Sequence, residues 1–222
     1  MLVDRMEQIR KFGKEKYFNV GLDCDGMKAE RQKIFDPEET EKLRNLCDGK
    51  DAHVMSCESV EKKMKPPRLY DLTTLQREAN RIYGFTAQQT LTAAQSLYEE
   101  KLITYPRTDS NFLTEDMEST ARQVIRVIHE KYQLMGPFDK PEKPDLGRVM
   151  NNKKVSDHHA IIPTIEIADA DLNDLKETEQ KILFLIAAHT VEAVSRDHVF
   201  REISVEVECE GEHFHAEGKE MM

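Results

Sequence analysis

The sequence predicts an α+β fold in which a mainly helical unit is inserted into a small β-rich domain. Three observations carry this. Short strand-like segments dominate the chain as far as Met64. The step Lys65-Pro66-Pro67-Arg68 then forces extended backbone and stops regular structure, and helix-type patterns follow it. The chain finally returns to strict alternation from Val199 to Val207. Strands, helices, strands in that order favour an insertion over two sequential domains. The expected division is 1–65 with 198–222 for the β-rich part and 66–197 for the helical part.

Taken in order, residues 2–12 read as the end of a helix or a linker. Tyr17 to Leu22 and the stretch ending at Ile34-Phe35 read as strands joined by a turn around Asp25-Gly26. Asp36-Pro37-Glu38-Glu39 is a helix start, with a cap, a proline at the first helical position and acids in the first turn. That helix is expected to turn Leu43 and Leu46 inward and to stop near Gly49. Residues 52–64 read as a further strand. Beyond the prolines, Asp71 caps a helix running to Tyr83 and closed by Gly84. Thr86 and Gln89 form a capping box for a helix whose apolar positions are Leu91, Ala94, Leu97, Tyr98 and Leu102. Thr114-Glu115-Asp116 opens another, carrying Val124, Ile125 and Ile128. Residues 136–157 lack periodicity and read as loop. Asp171 to Ser195 reads as one long helix, and Glu210-Gly211-Glu212 as a hairpin turn. The chain starts inside helix-like sequence and stops just after Gly218, where a strand is expected to turn. Both ends therefore look cut, and the chain is expected to be a fragment.

Of the 222 residues, 39% are hydrophobic and 33% charged, a globular balance with a highly charged surface. No apolar run approaches the roughly 18–20 residues a membrane span needs, and the first residues lack a signal-peptide core. An intracellular, cytoplasmic protein is expected. Cys24, Cys47, Cys57 and Cys209 form no C-x-x-C pair and read as reduced, mostly buried side chains. The formal net charge of −10, taken alone, argues against a nucleic-acid partner, because such binding is usually driven by Lys and Arg at the phosphates. Any nucleic-acid reading needs local basic patches.

The run Ile103-Thr104-Tyr105-Pro106-Arg107-Thr108-Asp109-Ser110 holds the most chemistry. A free tyrosine is only about a thousandth phenolate at neutral pH, so a nucleophilic Tyr105 needs a nearby cation or base. Pro106 biases Tyr105 toward extended backbone, in which side chains two apart share a face. Tyr105 and Arg107 would then point at one target, and a guanidinium can grip two phosphate oxygens. Spacing alone favours a plainer alternative, a turn after a helix with Tyr105 on the core and Arg107 solvated.

The stretch Pro66-Pro67-Arg68-Leu69-Tyr70-Asp71-Leu72-Thr73-Thr74-Leu75-Gln76-Arg77-Glu78-Ala79-Asn80 and the later Leu97-Tyr98-Glu99-Glu100-Lys101-Leu102-Ile103-Thr104-Tyr105-Pro106-Arg107-Thr108-Asp109-Ser110 resemble type IA DNA topoisomerases, most of all the bacterial topoisomerase III branch. Ser156-Asp157-His158-His159-Ala160-Ile161-Ile162-Pro163-Thr164 resembles a second signature of that family, in the family's order. The resemblance implies a β-rich arch interrupted by a winged-helix-like (CAP-like) domain that carries the catalytic tyrosine. It implies an ATP-independent isomerase that cuts one DNA strand through a 5′-phosphotyrosine link, passes a strand and reseals. Negative supercoils would be relaxed or DNA decatenated. By motif match Tyr105 is the nucleophile, Arg107 positions it and the scissile phosphate, and His158 is the active-site histidine. His159 stands where other branches often carry Glu.

The resemblance implies DNA, preferentially single-stranded, as partner, together with the remaining domains of the same enzyme and no membrane. The groups expected to meet DNA are Arg68, Arg77, Arg81, Thr108, Ser110, Lys153 and Lys154. Mg2+ is expected to be held by a domain absent here, with no metal in this fragment, which alone is expected to be inactive. Asp23-Cys24-Asp25 reads as a turn, not a metal site. His213 and His215, alternating near Cys209, read as a strand edge more readily than as metal ligands. Two other readings stand beside the enzyme: a non-catalytic winged-helix module using the helix at 86–101 for recognition, and a structural scaffold.

Overall fold

The computed structural model describes residues 2–132 and 144–221. The expected loop at 136–157 therefore lies partly outside the described residues. Its later part, from Pro144, holds two short 3-10 turns, Leu146–Arg148 and Asn152–Lys154. The chain divides into two compact units, Met1–Lys63 with Val199–Met222, and Met64–His198.

The first unit begins with α1 (Leu2–Lys11), whose Val3, Met6 and Ile9 are exposed. Its sheet has five strands: β1 (Phe18–Cys24), β2 (Met27–Ile34), β3 (His53–Met64), β4 (His198–Cys209) and β5 (Glu212–Met221), in the order β1-β2-β5-β4-β3. Both tight hairpins have two central residues at positive φ, Asp25 (51°) with Gly26 (95°) and Glu210 (51°) with Gly211 (83°). That geometry matches the right-handed twist of the strands it joins. The Asp23 carboxylate accepts the Gly26 N–H at 3.2 Å, so the D-x-D run forms a turn. β5 runs on through Gly218, which pairs with Ile203, and does not turn there as the sequence suggested.

α2 (Pro37–Cys47) covers one face of this sheet, and Asp36 caps it by accepting the Glu38 N–H at 2.9 Å. Leu43 and Cys47 enter the core with Val20, Ala29, Val207 and Phe214. Leu46, expected inward, is exposed. At 3.6 residues per turn it falls about 60° from Leu43, on the side away from Cys47. The two buried thiols lie together, the Cys47 Sγ donating to the Cys209 carbonyl at 3.6 Å. Burial pushes the Cys47 thiol up to about 11, with the neighbouring Cys209 adding to the effect. Cys57 is exposed on β3 and Cys24 is half-buried, so two of the four cysteines are core residues.

The second unit contains α3 (Leu72–Tyr83), α4 (Ala87–Glu99), α5 (Glu118–Tyr132) and α6 (Glu177–Ala193). Asp71 accepts the Thr74 N–H at 2.7 Å and Gly84 closes α3 at φ 70°. Thr86 and Gln89 cap α4 reciprocally. The sequence pattern merged two elements into one long helix at Asp171–Ser195. Asp171 instead caps a 3-10 turn, Leu172–Asp174, and Leu175 is extended at ψ 146°. α6 starts at Glu177, where the Lys176 N–H and Nζ both donate to the Glu179 carboxylate, at 2.9 and 3.2 Å. Burial raises the pKa of Glu179, but the bonds from Lys176 and Ser96 outweigh it and hold the carboxyl below its ordinary value. Leu75, Ala94, Leu97, Ile161, Ile182 and Ile186 form the main core. A second cluster gathers Leu69, Leu113, Ile125, Val149, Ala160 and Ile162. Among the described residues no helix is long and apolar enough to cross a membrane.

Candidate active site

Two segments far apart in sequence build the site. After α4, Lys101 takes positive φ (63°) and sends the chain back across the core, burying Leu102 and Ile103. Ile103 bridges to Pro163, and the amides of Thr104 and Thr164 donate to the carbonyls of Ile162 and Leu102, each at 2.9 Å. The Thr104 hydroxyl adds two bonds, donating to the Ala160 carbonyl and accepting the Ile162 N–H, each at 3.0 Å. On its other sides the 160–162 run is held by Tyr70 and Phe112, whose carbonyls accept the amides of Ile161 and Ala160 at 2.8 and 2.9 Å. The apolar part of the second signature, Ala160-Ile161-Ile162-Pro163, is thus a fully buried strap.

That strap sets His158 against Tyr105. Their rings lie 4.3 Å apart between centroids, tilted by 43°. Tyr98 meets Tyr105 edge-on from the end of α4, at 5.3 Å and 77°. Two hydroxyls stitch the loops below. Thr108 Oγ1 donates to the His158 carbonyl at 2.9 Å, and Ser110 Oγ donates to the Lys154 carbonyl at 2.9 Å. Both side chains are buried, so these hydroxyls are turned inward to hold the loops and are not on the outer surface where DNA was expected to touch them.

Tyr105 is half-buried, whereas Arg107 and His158 are exposed. The chain bends at Pro106 and Arg107 instead of running extended through both, and Arg107 is exposed. His159 faces inward enough for its Nδ1 to lie 2.9 Å from the Ala160 carbonyl, and only His158 contacts Tyr105. Tyr70 is a poor candidate for the same chemistry. It is 3% exposed, and burial pushes its phenol well above the ordinary tyrosine value.

The remaining candidates divide. The Arg68 guanidinium and the Lys154 ammonium both sit over the Phe112 ring, at 4.9 and 5.0 Å from its centroid. Lys153 is exposed beside Lys154. Arg77 and Arg81 lie on the exposed side of α3, where Arg81 pairs with Glu78 and draws its carboxyl below the ordinary value. In the sheet unit His215 lies 2.9 Å from Glu206 and 3.1 Å from Glu217, while Cys209 points into the core. Among the described residues no three His, Cys, Asp or Glu side chains converge to hold a metal ion.

Sequence reasoning missed Tyr98 and Phe112 as parts of this region. Tyr98 fits the three-and-four spacing of α4 and was assigned to the core, yet it is 39% exposed. Its lone polar tip at a helix end next to the Tyr105 run was the available signal. Phe112 carried no signal, because a single aromatic in a loop is ordinarily core.

Comparison with known proteins first defines a class by architecture. The chain is similar to full-length topoisomerase I from Thermotoga maritima, with a TM-score of 0.74 and 25% identity, covering 99% of this chain and 36% of that one. The sequence profile of the family described as DNA topoisomerase matches residues 1–222. DNA topoisomerase 3 from Bacillus subtilis is 36% identical over 229 residues, 99% of this chain and 31% of that protein. DNA topoisomerase 3 from Staphylococcus saprophyticus is 35% identical over 220 residues, 94% of this chain and 30% of that protein. The chain belongs to the type IA DNA topoisomerase family. It spans about a third of the length of the curated relatives it matches.

Proposed function

We propose that this chain carries the strand-cutting tyrosine of a type IA topoisomerase, and that Tyr105 is that residue. The observation that supports it most is the contact of the half-buried Tyr105 ring with His158, with the exposed Arg107 two residues on. In the cutting step the Tyr105 oxygen attacks a phosphodiester. A phosphorus–oxygen bond to Tyr105 forms as the bond to the 3′-oxygen breaks, and the phenolic proton ends on the departing 3′-hydroxyl. Arg107 offers a forked donor for the phosphate oxygens, and it stabilises phenolate as the proton leaves. His158 supplies an imidazole that can hydrogen-bond a phosphate and binds it more tightly when protonated. The link conserves the energy of the phosphodiester, so resealing needs no nucleotide.

In this reading the parent protein passes a strand through the break, relaxing negative supercoils or decatenating DNA. Its remaining domains hold Mg2+ and complete the site, its DNA is preferentially single-stranded, and this chain alone does not relax DNA. The first unit serves as the arch and the second as a winged-helix-like domain. The test mixes the complete parent enzyme with single-stranded DNA and denatures it. A covalent adduct is expected with the native enzyme and none with Tyr105→Phe. An adduct that survives the substitution removes Tyr105 from the mechanism. No adduct from the native enzyme would leave the non-catalytic DNA-binding module as the better reading.

A further inference from the structure

We propose that Tyr98 is a positioning residue for the cutting step, its ring holding the Tyr105 ring in place by an edge-on contact. The proposal rests on the reading that Tyr105 is the nucleophile, and it gives a role to a side chain that the motif match leaves without one.

The end of α4 fixes where the Tyr98 ring stands. Tyr98 lies in the last turn of the helix, directly after Leu97, which is fully buried. The helix closes with the paired bonds of a Schellman motif. The Leu102 N–H donates to the Leu97 carbonyl at 2.8 Å, and the Lys101 N–H donates to the Tyr98 carbonyl at 2.9 Å. Lys101 sits at φ 63°, in the left-handed position where this motif usually places glycine. The same closure launches the run to Tyr105. Leu102 and Ile103 are buried, and the Thr104 hydroxyl is bonded to Ala160 and Ile162. Tyr98 and Tyr105 therefore stand on two limbs of one fastened turn, and their rings meet at 5.3 Å and 77°.

Burial does not explain a tyrosine at this position, because the residue is 39% exposed. The contact with Tyr105 does. A tyrosine side chain swings about two bonds, and the Tyr105 ring is only half-buried, so the core does not fix it. Two rings from different segments limit that swing, His158 beyond the strap and Tyr98 on the helix. His158 is exposed on a loop, whereas Tyr98 is anchored in a capped helix end, so Tyr98 is the stiffer support. Attack on phosphorus tolerates little displacement of the oxygen, since about 1 Å can slow chemistry about 100-fold. Because the contact joins ring to ring, it leaves the Tyr105 oxygen, Arg107 and His158 available to the phosphate.

The test uses the complete parent enzyme and follows adduct formation on single-stranded DNA in a single turnover, across a range of DNA concentrations. Tyr98→Leu removes the ring and keeps an apolar side chain. It is expected to lower the rate constant at saturating DNA about fivefold, the factor that corresponds to one edge-on aromatic contact. The half-saturating DNA concentration is expected to stay as it was. The final adduct yield is also expected to stay, because positioning speeds cutting and resealing alike. Tyr98→Phe keeps the ring and is expected to restore the native rate constant. A native rate constant in Tyr98→Leu overturns the proposal. So does a raised half-saturating concentration with an unchanged rate constant, which would make Tyr98 a DNA contact. A Tyr98→Phe variant as slow as Tyr98→Leu overturns it too, because the hydroxyl and not the ring would then matter. A fall in yield alone, as far as no adduct at all, assigns Tyr98 to folding and equally overturns it. Failure here leaves the adduct dependent on Tyr105, whereas failure of the Tyr105 reading shows as an adduct that survives Tyr105→Phe.

Discussion

Replacing Thr108 by valine removes a hydroxyl and leaves the shape of the side chain nearly unchanged. In the native chain Thr108 Oγ1 donates to the His158 carbonyl at 2.9 Å and accepts the Ser110 N–H at 3.1 Å. Valine leaves both groups without that partner. A buried group stripped of its bond costs about 1–3 kcal/mol. Ser110 is buried and bears the larger share, whereas His158 is exposed and its carbonyl can turn to water. The expected loss is about 2 kcal/mol of stability in the helical unit. With a urea dependence of about 2 kcal/mol per molar, the unfolding midpoint should fall by about 1 M. Thr108→Ser keeps the hydroxyl and should lose less than about 1 kcal/mol, the smaller cost of one deleted methyl group. Urea unfolding followed by helical circular dichroism measures both. In the parent enzyme the same change frees His158 to shift against Tyr105, and a misplacement of about 1 Å can slow chemistry about 100-fold. A valine variant with native stability would refute the claim that this hydroxyl fastens the two loops. Native cleavage by an equally destabilised variant would show that the fastening does not set the geometry of Tyr105 and His158.

Two further outcomes follow from the sheet unit. His215 is bonded to Glu206 and Glu217, which raise its pKa above the ordinary 6.5. Its contribution to stability is therefore complete below pH 6.5 and is lost as the pH rises through the higher folded value. Unfolding midpoints measured upward from pH 6 should fall in that window for the native chain and fall less for His215→Gln; identical profiles would exclude the pairing in solution. Thiol chemistry gives the second. Cys57 is exposed, whereas Cys47 and Cys209 are buried and the Cys47 thiol is pushed up to about 11. An aromatic disulfide reagent should label Cys57 first, Cys24 more slowly, and the buried pair only on unfolding. Rapid labelling of Cys47 in the folded chain would contradict the packing of α2 on the sheet.

The elements whose limits are set by local chemistry were legible in the sequence. Asp36, Asp71 and Thr86 each announce a helix because a side-chain oxygen meets an orphan N–H within the next few residues. Asp25-Gly26 and Glu210-Gly211 announce hairpins because their backbones accept positive φ. Apolar spacing served less well. It extended α6 back to Asp171, since Leu172 and Leu175 continue the inward pattern although the backbone between them is not helical. It placed Leu46 in the core because period alone does not choose between two positions on the same side of a helix. The site shows the same division. Tyr105, Arg107 and His158 lie in signatures that can be found by reading along the chain. Their meeting depends on Thr104, Thr108 and Ser110, whose hydroxyls bond backbone carbonyls 44 to 56 residues away. A hydroxyl that makes a long-range bond to a carbonyl has no counterpart side chain, so nothing in the sequence pairs the two ends.

The net charge of −10 as a global term opposes a polyanionic partner, and the ion pairs show where that objection weakens. Part of the acidic surface is matched to cations on other segments than the Tyr105 loops. In the sheet unit Arg31 pairs with Glu212 and Glu39, Lys62 with Glu202 and Arg201 with Glu220. On the helices Arg81 pairs with Glu78, Arg122 with Glu118 and Lys181 with Glu177. The cations on the loops around Tyr105 behave differently. Among the described residues Arg68, Arg107, Lys153 and Lys154 form no ion pair with a carboxylate. Screening limits the reach of a surface charge to about 8–10 Å at physiological salt, so a phosphate at these loops responds to the charges beside it, exposed Asp109 and Asp157 included, far more than to the total. The total charge therefore slows the approach of DNA more than it weakens the final contact. If the proposed function holds, this favours a partner strand delivered by the rest of the enzyme over one captured by this chain alone.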